Sequence, residues 1–173
     1  MHSILVTGAI GFVGRPLCRR LLADGQQVVG AMRSSSQPSH LAYGAKTVVL
    51  GESNRQFNAG RNFQGISIVI HLAARVRVMS GVAKNPLAEF RVVNTFGTEQ
   101  FAKLTADAEV RRLVYVSSIK VNGEATSPGK AFTEDDAPNP LDPYGVSKSE
   151  AEDALAGIAQ ETGLVSRHVS FES

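Results

Sequence analysis

The sequence has 173 residues, 43% of them hydrophobic, which is enough for one globular domain with a substantial core. The 18 basic and 16 acidic residues leave a formal charge of +2 spread along the chain, which supports neither nucleic acid nor an anionic membrane as a partner. The single cysteine, Cys18, excludes an internal disulfide, and the N-terminus lacks the length and flanks of a signal peptide. We therefore expect a soluble, cytoplasmic protein.

Short β-branched apolar runs alternate along the chain with stretches of helical spacing. The predicted strands cover residues 3–7, 27–32, 47–50, 67–73 and 112–118. The predicted helices cover residues 12–24, one stripe from Pro86 to Leu104, and residues 143 to about 162. Strands that alternate with helices predict an α/β fold with a doubly wound parallel sheet, and runs without strict polar alternation predict strands covered on both faces.

Helix boundaries are marked by residues with clear local preferences. Asp24 and Gly25 predict the end of the first helix, because glycine readily adopts the left-handed conformation there. Asp142 followed by Pro143 predicts the start of the last helix, with a capping side chain and a proline in the first turn.

The first predicted strand runs directly into TGAIGFVG at residues 7–14, where Gly8, Gly11 and Gly14 are spaced three apart. Glycine at such a turn lets the backbone bend tightly and lets a pyrophosphate approach the helix N-terminus. A dinucleotide-binding Rossmann turn also expects an acid at the end of the second strand, but Arg33 stands near that place. Arg33 suits either the 2′-phosphate of NADP or a solvated loop, so NAD and NADP both stay open as cofactors.

The sequence DPYGVSK at residues 142–148 puts Tyr144 and Lys148 four positions apart, hence on one face of the last predicted helix. A neighbouring ammonium favours a phenolate, which would make Tyr144 usable as a proton shuttle. Ser118 ends the fifth predicted strand, at the carboxyl-end rim where such sheets bind ligands. Taken singly, the tyrosine and lysine also suit an exposed helix pair, and the serine also suits a turn cap.

Together these motifs resemble the extended short-chain dehydrogenase/reductase family, in particular its NAD-dependent epimerase/dehydratase branch, which is UDP-glucose 4-epimerase-like. TGAIGFVG is similar to Thr-Gly-x-x-Gly-x-x-Gly, and YGVSK is similar to Tyr-x-x-x-Lys. SSIKVNGE at residues 117–124 is similar to Ser-Ser-x-x-Val-Tyr-Gly with Asn122 at the tyrosine. HLAA at residues 71–74 and NTFGT at residues 94–98 add to the resemblance.

The resemblance implies a catalytic group of Ser118, Tyr144 and Lys148, with Ser118 rather than Ser117 as the serine. It implies backbone contacts to the pyrophosphate from Phe12 and Val13 and a contact of Lys148 with the nicotinamide ribose. The expected cofactor site comprises Gly8, Gly11, Phe12, Val13, Gly14, Arg33, Leu72, Ala73, Ala74, Asn94, Tyr144 and Lys148.

Two further polar residues have alternative interpretations. Asn94 interrupts an apolar helix stripe, so its amide either serves the cofactor site, where a buried amide needs partners, or bonds to local backbone. His71 is interpreted as a strand-end histidine with hydrogen-bond partners, and the sequence shows no spacing of cysteine, histidine and carboxylates that predicts a metal.

Among the reactions of the family, dehydration is disfavoured because Ile119 and Lys120, rather than Asp-Glu, follow Ser118. A 4-epimerase needs only serine, tyrosine, lysine and a tightly held cofactor that returns its hydride. The resemblance therefore implies hydride transfer at C4 of a UDP-hexose or UDP-N-acetylhexosamine, often in surface-polysaccharide synthesis. A reductase of small carbonyl compounds and a dinucleotide-binding protein without turnover stay open as alternatives. A homodimer stays open as the assembly.

The resemblance ends near residue 164, whereas family members continue into a C-terminal substrate domain. We expect a dinucleotide-binding domain over residues 1–164 and a divergent tail over residues 165–173 that forms at most a half-buried edge strand. The loss of likeness predicts a truncated or frame-shifted product, or a fragment, with weak turnover or none. A genuine divergent terminus is the alternative.

Overall fold

The computed structural model describes residues 3–33, 41–50, 62–77, 85–126, 129–133 and 135–170. Its strands are β1 (Ser3–Thr7), β2 (Gln27–Arg33), β3 (Lys46–Leu50), β4 (Ile66–His71), β5 (Arg112–Val116) and β6 (Val165–Val169). Its helices are α1 (Gly14–Ala23), α2 (Pro86–Asn94), α3 (Phe96–Asp107) and α4 (Pro143–Thr162), with a 3-10 turn at Ile119–Val121.

The six described strands form one sheet in the order β3-β2-β1-β4-β5-β6, and each neighbouring pair is parallel. The chain starts in the middle of the sheet and winds outwards in both directions. This confirms the predicted doubly wound α/β fold. The order reverses between β1 and β4, and sheets of this kind bind ligands beyond the carboxyl ends of the strands at such a reversal.

Both faces of the central strands are covered, because successive residues of β1 pack on opposite sides of the sheet. Leu5 belongs to a core that includes Phe101 of α3 and Leu155 of α4. Ile4 and Val6 belong to a second core, which includes Cys18 of α1. Each fully buried aliphatic side chain contributes roughly 1.5–3 kcal/mol. Coverage on both sides explains why β1 reads as an uninterrupted apolar run.

The predicted helix boundaries are confirmed by the capping geometry. Gly25 has φ +76° and follows α1, and the N–H of Gln26 donates to the carbonyl of Leu21 over 2.9 Å. At the start of α4, Asp142 Oδ1 accepts a hydrogen bond of 2.5 Å from the N–H of Gly145. These bonds satisfy backbone groups that have no partner within the helix, so each helix begins and ends at a defined residue.

The stripe predicted as one helix from Pro86 to Leu104 forms two helices, α2 and α3, which are separated at Thr95. The Thr95 hydroxyl donates to the Ser147 carbonyl of α4 over 3.0 Å, and the Asn94 amide donates to the Ser147 hydroxyl over 3.0 Å. Apolar periodicity carries no information about such bonds between helices. The expectation of one continuous helix was therefore wrong.

The tail forms an edge strand, β6, whose residues Val165 and Val169 pair with Arg112 and Val116 of β5. The edge strand was expected from the alternation of this segment. Val165 and Val169 are 44% and 42% exposed, so each valine of β6 is roughly half-buried, as expected.

Gly14→Ala should destabilise the fold, because a Cβ at this position would lie 2.2 Å from the carbonyl oxygen of Gly8 and 2.8 Å from the Cα of Ala9. Both neighbours are backbone, so α1 must move away from the turn, and we expect a loss of roughly 1–3 kcal/mol or more in the free energy of unfolding. The control Gly157→Ala lies in open space on α4 and should stabilise by about 0.5–1 kcal/mol. Urea denaturation measures both, and a wild-type midpoint for Gly14→Ala would contradict the close packing.

Candidate active site

The glycine turn and the segment after β4 meet at the carboxyl-end rim of the sheet. Gly8 has φ +65°, and a Cβ on it would lie 3.1 Å from backbone atoms of Leu72 and Ala73. The Thr7 hydroxyl oxygen joins the two segments, because it accepts hydrogen bonds from the N–H groups of Leu72 and Ala73, each over 3.1 Å. Residues 72–74, which are expected to line the cofactor, thus lie beside the glycine turn.

His71 is buried beneath this junction and both of its ring nitrogens have partners. Nδ1 lies 2.8 Å from Thr7 Oγ1, and Nε2 lies 3.2 Å from Thr98 Oγ1. Because Thr7 already accepts two N–H groups, its hydroxyl proton goes to Nδ1, and we infer that the ring carries its own proton on Nε2. Burial, assisted by the charge of Lys148, lowers the pKa of His71 to about 3. The interpretation as a strand-end histidine with hydrogen-bond partners is confirmed.

The N-terminus of α1 faces the rim without a capping side chain. Val13 occupies the cap position and makes no side-chain cap bond, and the first turn of α1 contains no acidic residue. Phe12 projects into solvent with 97% of its surface exposed. The helix dipole places partial positive charge here, so the turn presents backbone N–H groups and a favourable electrostatic potential to an anion.

Ser118 and Tyr144 come together at the same rim from different elements. Ser118 follows β5, and its hydroxyl oxygen accepts from the N–H of Lys120 over 3.3 Å. Tyr144 lies in the first turn of α4 with its ring edge-on to Phe90 at 5.8 Å. Burial and the charge of Asp142 raise the pKa of Tyr144, whereas the charge of Lys120 and a hydrogen bond with Ser118 lower it. The net pKa is raised, so the phenol keeps its proton at neutral pH.

Lys148 is 2% exposed and points towards β5. Its ammonium donates to the Val116 carbonyl over 2.7 Å and lies 4.0 Å from the centroid of the Tyr115 ring. Burial lowers the pKa of Lys148 to about 7, and the charge of Glu152 opposes this shift. The predicted action of Lys148 on Tyr144 stays a prediction, and Lys120 is a second cation whose charge lowers the pKa of the phenol.

Asn94 connects the segment after β4 to the helix that carries Tyr144. Its side chain accepts from the Arg75 N–H over 2.8 Å and donates to the Arg75 carbonyl and the Ser147 hydroxyl, each over 3.0 Å. Ser147 in turn donates to the Tyr144 carbonyl over 2.7 Å. The expectation that this buried amide has partners is confirmed, and the partners are distant in sequence rather than local. A direct role of Asn94 towards a cofactor stays a prediction.

The two neighbouring serines and Arg33, all considered in the sequence analysis, lie in different surroundings. Ser117 lies against β6, where its N–H donates to the Val169 carbonyl over 2.8 Å, whereas Ser118 caps the 3-10 turn that packs on the first turn of α4. Arg33 ends β2, but its side chain lies outside the described part of the molecule. Its predicted contact with a 2′-phosphate stays a prediction.

Sequence reasoning missed Thr7, Tyr115 and Lys120 as site residues. Thr7 had a signal, because it is the first residue of the Thr-Gly-x-x-Gly-x-x-Gly motif, whereas Tyr115 had none, because aromatic residues in strands are common. Lys120 had one: an acid, Glu124, stands four residues later, and the two side chains form an ion pair of 3.2 Å.

An open cavity of about 560 Å³ lies next to the 3-10 turn that follows Ser118. Lys120, Glu124, Lys130 and Phe132 are among its lining residues. Across the described ranges, no cluster of three or more His, Cys, Asp or Glu side chains is arranged for a metal. None of the described helices has the length and hydropathy to cross a membrane.

Residues 4–169 match the NAD dependent epimerase/dehydratase family. The chain belongs to this family. It is 37% identical over 164 residues to the UDP-glucose 4-epimerase of Vibrio cholerae, an alignment that covers 94% of this chain and 48% of the relative. The chain spans about half the length of the curated relatives it matches.

Solved structures of the family are similar over almost the whole chain. MoeE5 in complex with UDP-glucuronic acid and NAD has a TM-score of 0.80 and 30% identity, covering 98% of this chain and 54% of that one. The UDP-glucose 4-epimerase of Thermotoga maritima with UDP-glucose has a TM-score of 0.80 and 27% identity, covering 97% of this chain and 54% of that one. These likenesses agree with the described Rossmann-type sheet.

Lys148 should make the free energy of unfolding depend on pH. Its folded pKa is lowered to about 7, whereas an unfolded lysine titrates near ~10.4. Between these values the unfolded chain binds more protons than the folded chain, so stability rises with pH. From pH ~7 to ~8.5, wild type should gain roughly 1–2 kcal/mol relative to Lys148→Met.

Urea denaturation at the two pH values measures this gain. Lys103→Met, which removes a surface lysine paired with Glu99, serves as the control and should keep the wild-type pH dependence. A pH dependence in Lys148→Met equal to that of wild type would show that Lys148 is not held in a neutralising environment.

Proposed function

We propose that this chain is the cofactor-binding and acid–base part of a nucleotide-sugar 4-epimerase that acts on a UDP-hexose or UDP-N-acetylhexosamine. The observation that carries the proposal is that the 3-10 turn capped by Ser118 packs on the first turn of α4, which bears Tyr144: a Cβ on Gly145 would lie 2.7 Å from the Lys120 carbonyl oxygen. The substrate class is supported by the Vibrio cholerae relative, a UDP-glucose 4-epimerase, and by the similar structures that contain UDP-glucuronic acid and UDP-glucose.

The residues at the rim fit a nicotinamide dinucleotide. A Cβ on Gly11 would approach only the Gly8 carbonyl, at 3.1 Å, so the turn is otherwise open to a pyrophosphate. The first turn of α1 has no carboxylate to repel the phosphates, and the backbone at Phe12 and Val13 would contact them. We propose NAD as the cofactor, in line with the NAD in the MoeE5 complex, and keep NADP as the second candidate.

The remaining cofactor contacts would come from residues on three other elements. They are Leu72, Ala73 and Ala74 after β4, Asn94 at the end of α2, and Tyr144 and Lys148 on α4. Arg33 would complete the site if the cofactor carries a 2′-phosphate. A bound nicotinamide supplies the hydride acceptor and donor for the sugar carbon.

The side chains of this chain then perform the proton transfer. Ser118 would hydrogen-bond the C4 oxygen of the sugar and direct it towards Tyr144. The Tyr144 phenol would first release its own proton to the solvent, and the phenolate would then take the proton of the C4 hydroxyl. Lys148, with a pKa of about 7, can exchange a proton with its surroundings at neutral pH. The proton would return from Tyr144 to the C4 oxygen when hydride returns to the same carbon from the other side, so an epimerase requires no further acid or base.

Dehydration is disfavoured by the residues that follow Ser118. Ile119 and Lys120 stand there, and Lys120 is paired with Asp142 and Glu124. Because these 173 residues correspond to about half of each relative, we also propose that they show little turnover by themselves. The homodimer is likewise a proposal, which analytical ultracentrifugation can test.

The 173-residue chain should bind NAD, and Gly11→Asp should abolish detectable binding, because the carboxylate would stand where the pyrophosphate approaches. Gly157→Asp introduces the same side chain in open space on α4 and should leave binding unchanged. Calorimetric titration with NAD and NADP, with circular dichroism to verify folding, is the measurement. If NADP binds more tightly, Arg33→Ala should remove that preference. Undetectable binding of both dinucleotides by folded wild type would overturn the proposal.

Tyr144→Phe should lower turnover ~10²–10⁴-fold while NAD affinity stays within about threefold, because only the proton-transfer group is removed. Turnover is measured with UDP-glucose and UDP-N-acetylglucosamine in a fusion of residues 1–164 to the remaining half of the Vibrio cholerae relative. Tyr43→Phe removes a fully exposed tyrosine and is the control. Equal rates for the Tyr144→Phe fusion and its parent would exclude Tyr144 from the catalytic group.

A further inference from the structure

Lys120 contacts both segments that carry the proposed acid–base pair. Its backbone N–H donates to Ser118 Oγ over 3.3 Å. Its ammonium lies 2.6 Å from Asp142 Oδ2 and 3.2 Å from both carboxylate oxygens of Glu124. The other oxygen of Asp142 caps α4 by accepting the N–H of Gly145 over 2.5 Å. One carboxylate therefore binds the lysine and the helix N-terminus at the same time.

The backbone at Lys120 also packs directly on the first turn of α4. A Cβ on Gly145, the residue after Tyr144, would lie 2.7 Å from the Lys120 carbonyl oxygen. On the other side, the N–H of Asn139 donates to the Val121 carbonyl over 2.8 Å, which attaches the approach to α4 to the same 3-10 turn. Ser118 and Tyr144 lie 26 positions apart in the sequence. Contacts between the 3-10 turn and α4 must therefore set their position relative to each other.

We propose that Lys120 is a positioning residue, which holds the first turn of α4 through Asp142 and so keeps the Tyr144 hydroxyl against Ser118. The inference rests on the proposed function for the role of the pair. Its test does not require turnover or a cofactor. The ion pair lies at a partly buried position, with both side chains about one-third exposed at 31% and 32%, so it is less screened than a fully exposed pair.

The charges that act on Tyr144 define the sign of the expected effect. Asp142 raises the pKa of the phenol and Lys120 lowers it, against a background of burial that raises it. Hydrogen bonds to Asp142 and Glu124 raise the pKa of Lys120, so its ammonium stays charged at neutral pH. From the other packed elements, α2 contributes the apolar ring of Phe90, and β5 is followed by the Ser118 hydroxyl. Lys148, one turn further along α4, directs its ammonium to Val116.

Carbon-13 NMR of protein labelled at tyrosine Cζ follows the ionisation of Tyr144 separately from Tyr43 and Tyr115. The quantity measured is the pH at which a fixed fraction of the Tyr144 ring is ionised, within the range where circular dichroism stays constant. Lys120→Met should move this pH upwards, because the stabilising cation is lost. Lys120→Arg should restore the wild-type value, since a guanidinium keeps the charge and can reach the same carboxylates.

Lys103→Met removes an ion-paired lysine on α3 and should change nothing. Identical Tyr144 ionisation in wild type and Lys120→Met would overturn the proposal, as would a Lys120→Arg variant that behaves like Lys120→Met. If Lys120→Met does not fold, Lys120→Gln takes its place, and a Lys120→Gln curve that coincides with wild type overturns the proposal instead.

The result can be separated from the proposed function. If the chain fails to bind NAD, or Tyr144→Phe leaves turnover unchanged, the epimerase proposal fails while the titration still reports whether Lys120 positions Tyr144. If the cofactor binds and Tyr144 is needed, but the Lys120 variants do not shift its ionisation, only the positioning role is lost.

Discussion

The hydroxyl group of Thr7 joins the two strands between which the rim of the sheet opens. It accepts the N–H groups of Leu72 and Ala73 and bonds to the ring of His71, so the ends of β1 and β4 are held in one arrangement. The close approach of Gly8 to the same backbone depends on this junction. Because parallel strands leave their carboxyl ends unpaired at the rim, a side-chain hydroxyl that satisfies two N–H groups there has a large effect on local order.

A second constraint is the burial of charged and polar groups around α4. Burial raises the pKa of Tyr144 and lowers the pKa of Lys148 to about 7, so the two groups are driven towards their neutral forms. The same desolvation keeps His71 neutral. Opposite shifts of this kind move the proton affinities of a phenol and an amine apart, so that at neutral pH the phenol keeps its proton while the amine can exchange its proton with its surroundings.

Helix α4 connects the elements of the site to one another. Asn94 and Thr95 bond to Ser147 on its inner side, Lys148 reaches the end of β5, and Asp142 at its start binds Lys120. These hydrogen bonds are buried or partly buried, and a buried polar group without a hydrogen-bond partner lowers the stability of the fold. The position of the helix relative to the rim is therefore determined by polar contacts as much as by the apolar core beneath it.

Local chemistry determined the parts of this protein that depend on neighbours in the chain. Apolar runs and their alternation with helical spacing specified the parallel sheet, Gly25 and Asp142 specified helix ends, and the spacing of Gly8, Gly11 and Gly14 specified the turn. Each of these preferences acts within a few residues, so it can be read from the order of residues alone.

Only the tertiary structure decided the features that depend on residues far apart in the chain. The break at Thr95, the direction of Lys148 towards Val116 and the ion pair of Lys120 with Asp142 each require a partner on another element. The net rise in the pKa of Tyr144 likewise comes from burial, which no spacing of residues reports. Hydrogen bonding, desolvation and charge act through space, and their balance exists only once the chain has folded.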